Sequence, residues 1–171
     1  MNPNEIHGFA FGRTISSRVL YGLKNIDCCY LVFGIDSING YLKFLIQNQP
    51  KYILGMGTYG GIDQNKIRIE EICTNKFRNS YIEGGRLESH KINSFLELND
   101  SFKLADGIGN SYCNYISYQI TKLINNGDLK SKYTFLHIPK TISAYTASKE
   151  IDEIILPLKN KLKTPKTIWQ Q

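Results

Sequence analysis

Three residues spread through this sequence have the chemistry to cleave an acyl bond together: Cys113, His137 and Glu70. Cys113 follows Gly109-Asn110-Ser111-Tyr112 and falls in the first turn of an expected helix. The unpaired N–H groups and positive dipole end at such a position favour thiolate and can donate to an oxyanion. His137 stands in Phe135-Leu-His-Ile-Pro139, at the carboxyl end of an expected strand, where α/β sheets present functional groups. Glu70 and Glu71 lie in a partly apolar strand, a place where a carboxylate needs a partner. A thiol, a base and a group that orients the base are the parts of a nucleophilic site. Each also has an ordinary reading: a small buried thiol, a satisfied rim histidine, and two solvated carboxylates on opposite faces.

The elements that must position these residues follow from hydrophobic spacing. Residues 14–25 read as a helix capped by Ser16 or Ser17, with Val19, Leu20 and Leu23 on one face. A continuous apolar run, 30–35, reads as a strand. The helix expected at 37–49 has Ile38, Tyr41, Leu42, Leu45 and Ile46 in one stripe, capped by Asp36 or Ser37 and stopped by Pro50. Residues 52–56 are a buried strand, and 66–74 a strand with one polar face. The stretch 76–103 is polar, with a loop at Gly84-Gly85 and a short strand at 94–98. A helix opens at Asn110 or Ser111 and runs to 126, with Gly127 as its C′ residue. A strand at 133–138 and a last helix from 148 to about 162, kinked by Pro157, complete the chain. Strands alternating with helices predict one α/β domain over 1–171, a three-layer α/β/α sandwich around a mixed, largely parallel sheet.

Gly55-Met-Gly57-Thr-Tyr-Gly60 fits the G-x-G-x-x-G pattern and follows a strand. A dinucleotide site needs a helix to open at the third glycine. The segment from Gly61 to Lys66 leads instead into another strand, so a tight turn at a site rim is expected there.

Composition narrows the classes. The chain has 171 residues, 42% of them hydrophobic and 21% charged, which excludes disordered and low-complexity chains. At this size roughly 70% of the unfolded surface can be buried, enough for a core without staples. The longest apolar run, residues 28–35, is too short to cross a bilayer, and the N-terminus lacks a secretory pattern. Four cysteines without a CxxC are expected as reduced thiols, and three scattered histidines give no metal-ligand spacing. The expectation is a cytoplasmic protein with no metal or cofactor. The net charge of +6 comes largely from Lys159, Lys161, Lys163 and Lys166. On a helix end and tail these fit a solvated face, and no nucleic-acid motif accompanies them.

Several segments together resemble the pyroglutamyl-peptidase I (pyrrolidone-carboxylate peptidase) family. Gly109-Asn-Ser-Tyr-Cys113-Asn114-Tyr-Ile-Ser-Tyr118 is similar to the family's A-G-x-x-x-C-N-x-x-x-Y block, and Phe135-Leu-His137-Ile-Pro139 to its F-I/V-H-x-P block. Ile69-Glu70-Glu71-Ile72-Cys73-Thr74-Asn75 resembles E-R-x-A-x-N, with Glu71 where the family has arginine. Gly8-Phe9-Ala10-Phe11-Gly12 looks like a shortened G-F-x-P-F-G-G. The family's D-N-x-G loop has no counterpart here, Ile108 replaces an alanine, and Ser111 stands where an aromatic residue is frequent.

The resemblance implies a cysteine exopeptidase that removes an N-terminal pyroglutamyl residue from small peptides with a blocked N-terminus. Cys113 would be the nucleophile, His137 the base and Glu70 its orienting carboxylate. Arg78 is the nearest candidate for the family's oxyanion arginine. Phe9 and Phe11 would wall the lactam pocket, and the backbone near Thr58 and Tyr59 would supply amide partners. Relatives in that family oligomerise, so a homo-oligomer is a further expectation. The rival readings are a hydrolase with the same triad and another N-terminal substrate, and a non-catalytic peptide-binding relative.

Overall fold

Apolar runs bounded by turns become the strands of one sheet, and stripes of 3.6-residue period become the helices covering it. A computed structural model describes residues 5–61 and 65–163. In chain order its elements are β1 (Ile6–Phe11), α1 (Ile15–Gly22), β2 (Cys28–Val32), α2 (Ile35–Asn48), β3 (Tyr52–Tyr59) and β4 (Ile67–Glu70). They continue with β5 (Ile72–Thr74), β6 (Ser89–Lys91), β7 (Phe102–Ala105), α3 (Tyr112–Asn125), β8 (Lys132–Pro139) and α4 (Ala144–Lys163). The main sheet has six strands in the order β2-β1-β3-β8-β4-β7. Every neighbouring pair in it is parallel except β4 and β8. A second sheet is the antiparallel pair β5–β6.

Alternation along the strands divides the core between two faces. Leu54, Met56, Ile67, Ile69, Leu136 and Ile138 meet Val19 and Leu20 of α1 and Ile151 and Ile155 of α4. Phe9, Ile53, Tyr133 and Phe135 meet Ile38, Tyr41 and Leu45 of α2 and Ile116 and Ile120 of α3. The result is the expected three-layer sandwich with a mixed, largely parallel sheet.

Differences from the expected elements have local causes. The hydrophobic spacing gave no element before residue 14, yet residues 6–11 form a buried strand. A Cβ at Gly8 would come within 2.5 Å of Leu20 Cδ1, so the missing side chain lets α1 lie close. Helix α2 begins two residues before the expected start, because Gly34, not Asp36 or Ser37, is its N-cap. Thr14, not Ser16 or Ser17, caps α1, with its N–H donating to Ser17 Oγ at 3.3 Å. Helix α4 starts at Ala144, where Ser143 Oγ accepts the Thr146 N–H at 3.0 Å, and it continues through Pro157.

The expected strand 66–74 is two strands. At Glu71 the chain changes partners, its N–H bonding Ala105 and its carbonyl Ile92. Residues 94–98 are not a strand; Ser94 and Phe95 are held instead by Thr134 Oγ1, each at 3.0 Å. Gly55 and Gly57 lie within β3 rather than in a turn. A Cβ at Gly55 would sit 2.5 Å from Phe9 Cζ and 2.6 Å from Phe135 Cδ2, so the glycine makes room for two rings. After Gly60 the chain reaches β4 at Ile67, and residues 62–64 between them lie outside the described residues. Of the four C-terminal lysines, Lys159 pairs with Asp27. Lys166 and the side chain of Lys163 lie outside the described residues.

One side chain ties the start of α3 to the β5 segment. Asn114, wholly buried, accepts the Thr74 N–H on Oδ1 at 2.8 Å. Its Nδ2 donates to the carbonyls of Thr74 at 2.8 Å and Lys76 at 2.5 Å. Truncation strands these backbone groups without partners. Asn114→Ala is therefore expected to lower the unfolding free energy by about 2–4 kcal/mol in urea denaturation. A loss within about 0.5 kcal/mol, the range of neutral surface changes, would contradict this assignment.

Candidate active site

Strand register brings the site together. On β8, His137 lies beside Gly57 of β3, and on its other side beside Arg68 of β4. Ile67 and Ile69 of β4 face the α1/α4 core, so Arg68 and Glu70 face the opposite layer, where α3 begins. The polar face expected for this strand is not solvated: the Glu70 side chain is 0% exposed and that of Arg68 12%.

Glu70 Oε1 accepts a hydrogen bond from His137 Nδ1 at 2.8 Å and another from Arg68 Nε at 2.9 Å. Its Oε2 accepts the Gly107 N–H at 3.2 Å. Because an ionised carboxylate only accepts, Nδ1 carries the proton and Nε2 of the neutral ring is left as the basic nitrogen. That nitrogen and the Cys113 sulfur converge on Gly57. A Cβ there would lie 2.7 Å from Cys113 Sγ and 3.1 Å from His137 Nε2. Sulfur and ring nitrogen border the space that this glycine leaves empty.

Burial alone would raise the Glu70 carboxyl, but the hydrogen bonds and charges of His137 and Arg68 together hold it below the usual carboxylate value. The thiol behaves oppositely. Burial pushes Cys113 up to about 11, against hydrogen bonds from Ser111 and the Cys113 backbone, and the Glu70 charge acts in the same direction as burial. The expectation of a thiol lowered by the helix end is thus overturned for the resting site. A protonated thiol beside a basic ring nitrogen can lose its proton as the sulfur attacks, which is general-base chemistry.

The remaining expected residues divide. Phe9 is 0% exposed and packs among Tyr41, Tyr133 and Phe135, so it belongs to the core and not to a pocket wall. Phe11 is half-buried and lines a surface cavity of about 530 Å³ with Arg13, Phe33 and Tyr112. The Thr58 side chain shares the face of Leu54 and Met56, away from Cys113, and its Oγ1 is buried without a hydrogen-bond partner. What Thr58 offers the site is its backbone, next to Gly57. Arg78 is exposed, with φ of 54°. Its N–H donates to the Asn110 carbonyl at 2.6 Å, and its guanidinium lies over the Phe77 and Tyr112 rings at 5.1 and 5.6 Å. This brings it to the loop that leads into α3.

Sequence reasoning missed Arg68, took Gly57 for part of a rim turn, and gave Asn114 no role beyond its place in a motif. Arg68 had a signal, since it stands two residues before Glu70 on a strand and so shares its face. Among the described residues no group of three or more His, Cys, Asp or Glu is placed to hold a metal ion. Nor is any described helix long and apolar enough to cross a membrane.

The thiol's position predicts its reactivity. Alkylation of Cys113 by iodoacetamide, followed by peptide mass spectrometry, is expected to accelerate from neutral pH upward toward about pH 11. A rate already level at pH 6–8 would mean a preformed thiolate and contradict this.

No protein-family model and no curated protein sequence matches the chain. Solved structures do. Pyroglutamyl peptidase I from Bacillus amyloliquefaciens aligns at TM-score 0.72 and 14% identity, over 92% of this chain and 97% of that one. Pyrrolidone carboxyl peptidase from Fervidobacterium islandicum aligns at 0.71 and 14%, over 92% and 99%. The enzyme from Thermococcus litoralis aligns at 0.64 and 13%, over 93% and 92%. The chain shares the fold of the pyroglutamyl and pyrrolidone carboxyl peptidases along nearly all of its described length.

Proposed function

We propose that this chain is a cysteine exopeptidase that releases an N-terminal pyroglutamyl residue from peptides. The observation that carries the reading is the convergence of Cys113 Sγ and His137 Nε2 on Gly57, with Glu70 Oε1 2.8 Å from His137 Nδ1. The likeness of fold to peptidases of that activity and the Cys-Asn and His-x-Pro blocks support it.

In this mechanism His137 Nε2 takes the thiol proton as Cys113 sulfur bonds to the carbonyl carbon that joins the lactam residue to the next one. Glu70 holds the ring and stabilises the imidazolium that forms. Helix geometry leaves the first N–H groups of α3 without intrahelical acceptors, and Cys113 stands among them, so they can receive the oxyanion, with Arg78 assisting. The tetrahedral adduct collapses, the C–N bond breaks, and His137 returns the proton to the leaving amine. Water, deprotonated by His137, then cleaves the thioester, freeing pyroglutamate and restoring the thiol. Nucleophile, base and oxyanion donors all come from the chain, so the route calls on no metal or cofactor. Phe11 and the backbone of Thr58 and Tyr59 would border the lactam. Four unpaired thiols suit a reducing compartment, and we place the enzyme in the cytoplasm.

Phe9 in the core leaves Phe11 as the remaining member of the expected pair of aromatic walls. This favours, as a second reading, the same triad acting on a different small N-terminal group.

The test is hydrolysis of a fluorogenic pyroglutamyl amide under reducing conditions. Wild type is expected to turn over, while Cys113→Ala loses activity by a factor on the order of 10³ or more. Gly57→Ala, whose new methyl takes the space shared by sulfur and nitrogen, should lose on the order of 10²-fold while remaining folded by circular dichroism. Absence of lactam turnover alongside Cys113-dependent cleavage of other aminoacyl amides would select the second reading. Turnover that survives Cys113→Ala would refute both.

A further inference from the structure

Glu70 has two nitrogen donors on one oxygen, and the hydrolytic cycle described above uses only one of them. Arg68 Nε donates to Oε1 at 2.9 Å, the same atom that accepts from His137 Nδ1. Arg68 is also the cross-strand partner of His137 in the β4–β8 pairing, so its backbone faces the base directly. The guanidinium is not a loose surface group: its side chain is 12% exposed, and its Cζ lies 4.2 Å from the centre of the Tyr59 ring. That ring in turn is 6.1 Å from the His137 ring. Gly107 completes the setting. Its N–H donates to Oε2, and a Cβ at this position would come within 3.4 Å of Arg68 Nη2.

We propose that Arg68 is a positioning residue of the site, fixing the Glu70 carboxylate and keeping it ionised whether or not His137 carries a proton. The inference rests on the triad reading and extends it. A carboxylate at 0% exposure whose only cation was the base would lose its counter-charge each time that base became neutral. The groups described around Glu70 are Arg68 from its own strand, His137 from β8, the Gly107 N–H after β7, and Cys113 from α3. Arg68 alone among them holds a positive charge throughout the cycle. Tyr59, stacked on the guanidinium, limits its swing and so fixes the direction of its Nε–H.

Steady-state pH profiles of wild type, Arg68→Met and Arg68→Lys on the pyroglutamyl amide test this. Arg68→Met is expected to lower kcat on the order of 10²-fold with KM little changed. The acid limb of its profile should move to higher pH, because Glu70 then becomes protonated sooner. Arg68→Lys should return the limb toward the wild-type position by restoring the charge without the aligned donor. An equal fall for both variants with an unmoved limb would mean mere scaffolding and overturn the proposal.

A second readout needs no turnover and separates failure of this inference from failure of the substrate assignment. Glu70 is held below its ordinary value in the folded protein. Its contribution to stability is therefore present above the unfolded carboxyl pKa and lost as pH falls through the folded one. In urea denaturation across acid pH, Arg68→Met should bring that loss to higher pH, and the difference should vanish when both proteins carry Glu70→Gln. The same acid shift in the presence and absence of Glu70 would overturn the proposal even if lactam hydrolysis is confirmed.

Discussion

A carboxylate sealed from water inside a sheet is the constraint around which this site is arranged. Glu70 has no exposed surface, and an ionised group there is tolerated only with partners on its oxygens. The partners come from three strands or their ends: Arg68 on β4, His137 on β8 and the Gly107 N–H beyond β7. The antiparallel pairing of β4 with β8 puts Arg68 opposite His137 and lets Glu70, one pleat further along the same face, reach the ring. Elsewhere in the sheet the pairs are parallel. The one reversal is what delivers a carboxylate to the base.

The neutral partner of this arrangement is the thiol. Desolvation, with the Glu70 charge acting in the same direction, outweighs the hydrogen bonds from Ser111 and the Cys113 backbone and pushes Cys113 up to about 11. The resting site therefore stores a protonated sulfur next to a ring nitrogen whose other side is anchored to a carboxylate. In the proposed mechanism charge would separate only when a carbonyl is present to accept the sulfur's electrons. Gly57 makes the approach possible, since any side chain at that point in β3 would occupy the space the two atoms share.

Much of this was legible in the sequence, and the illegible parts have physical reasons. The stripe of α3 and its Gly127 terminator read directly, and its cap to within the pair Asn110 and Ser111, because a helix end writes local signals. Ile67 and Ile69 gave away a strand with a polar second face, but not that the face was covered by α3. Solvated and buried polar faces have the same alternation. Strands β6 and β7 are only three and four residues long, and β6 is Ser-His-Lys, so period-two reasoning had too few positions to count. Phe9 and Phe11 look equivalent in Gly8-Phe-Ala-Phe-Gly12; one enters the aromatic cluster of α2 while the other stays at the rim. The glycine pattern at 55–60 marked a site, though for close approach of side chains rather than for a turn. Arg68 was visible as a residue, and its role depended on which strand lay opposite.

The central claim is that Cys113, activated in place by His137 and Glu70, forms a covalent acyl intermediate. Intact-protein mass spectrometry on samples acid-quenched during turnover of a pyroglutamyl amide tests it most directly. The account predicts a species heavier by one pyroglutamyl acyl group, carried on the peptide containing Cys113 and absent from Cys113→Ala. Turnover with the added mass on another residue, or cleavage that continues in Cys113→Ala, would contradict it.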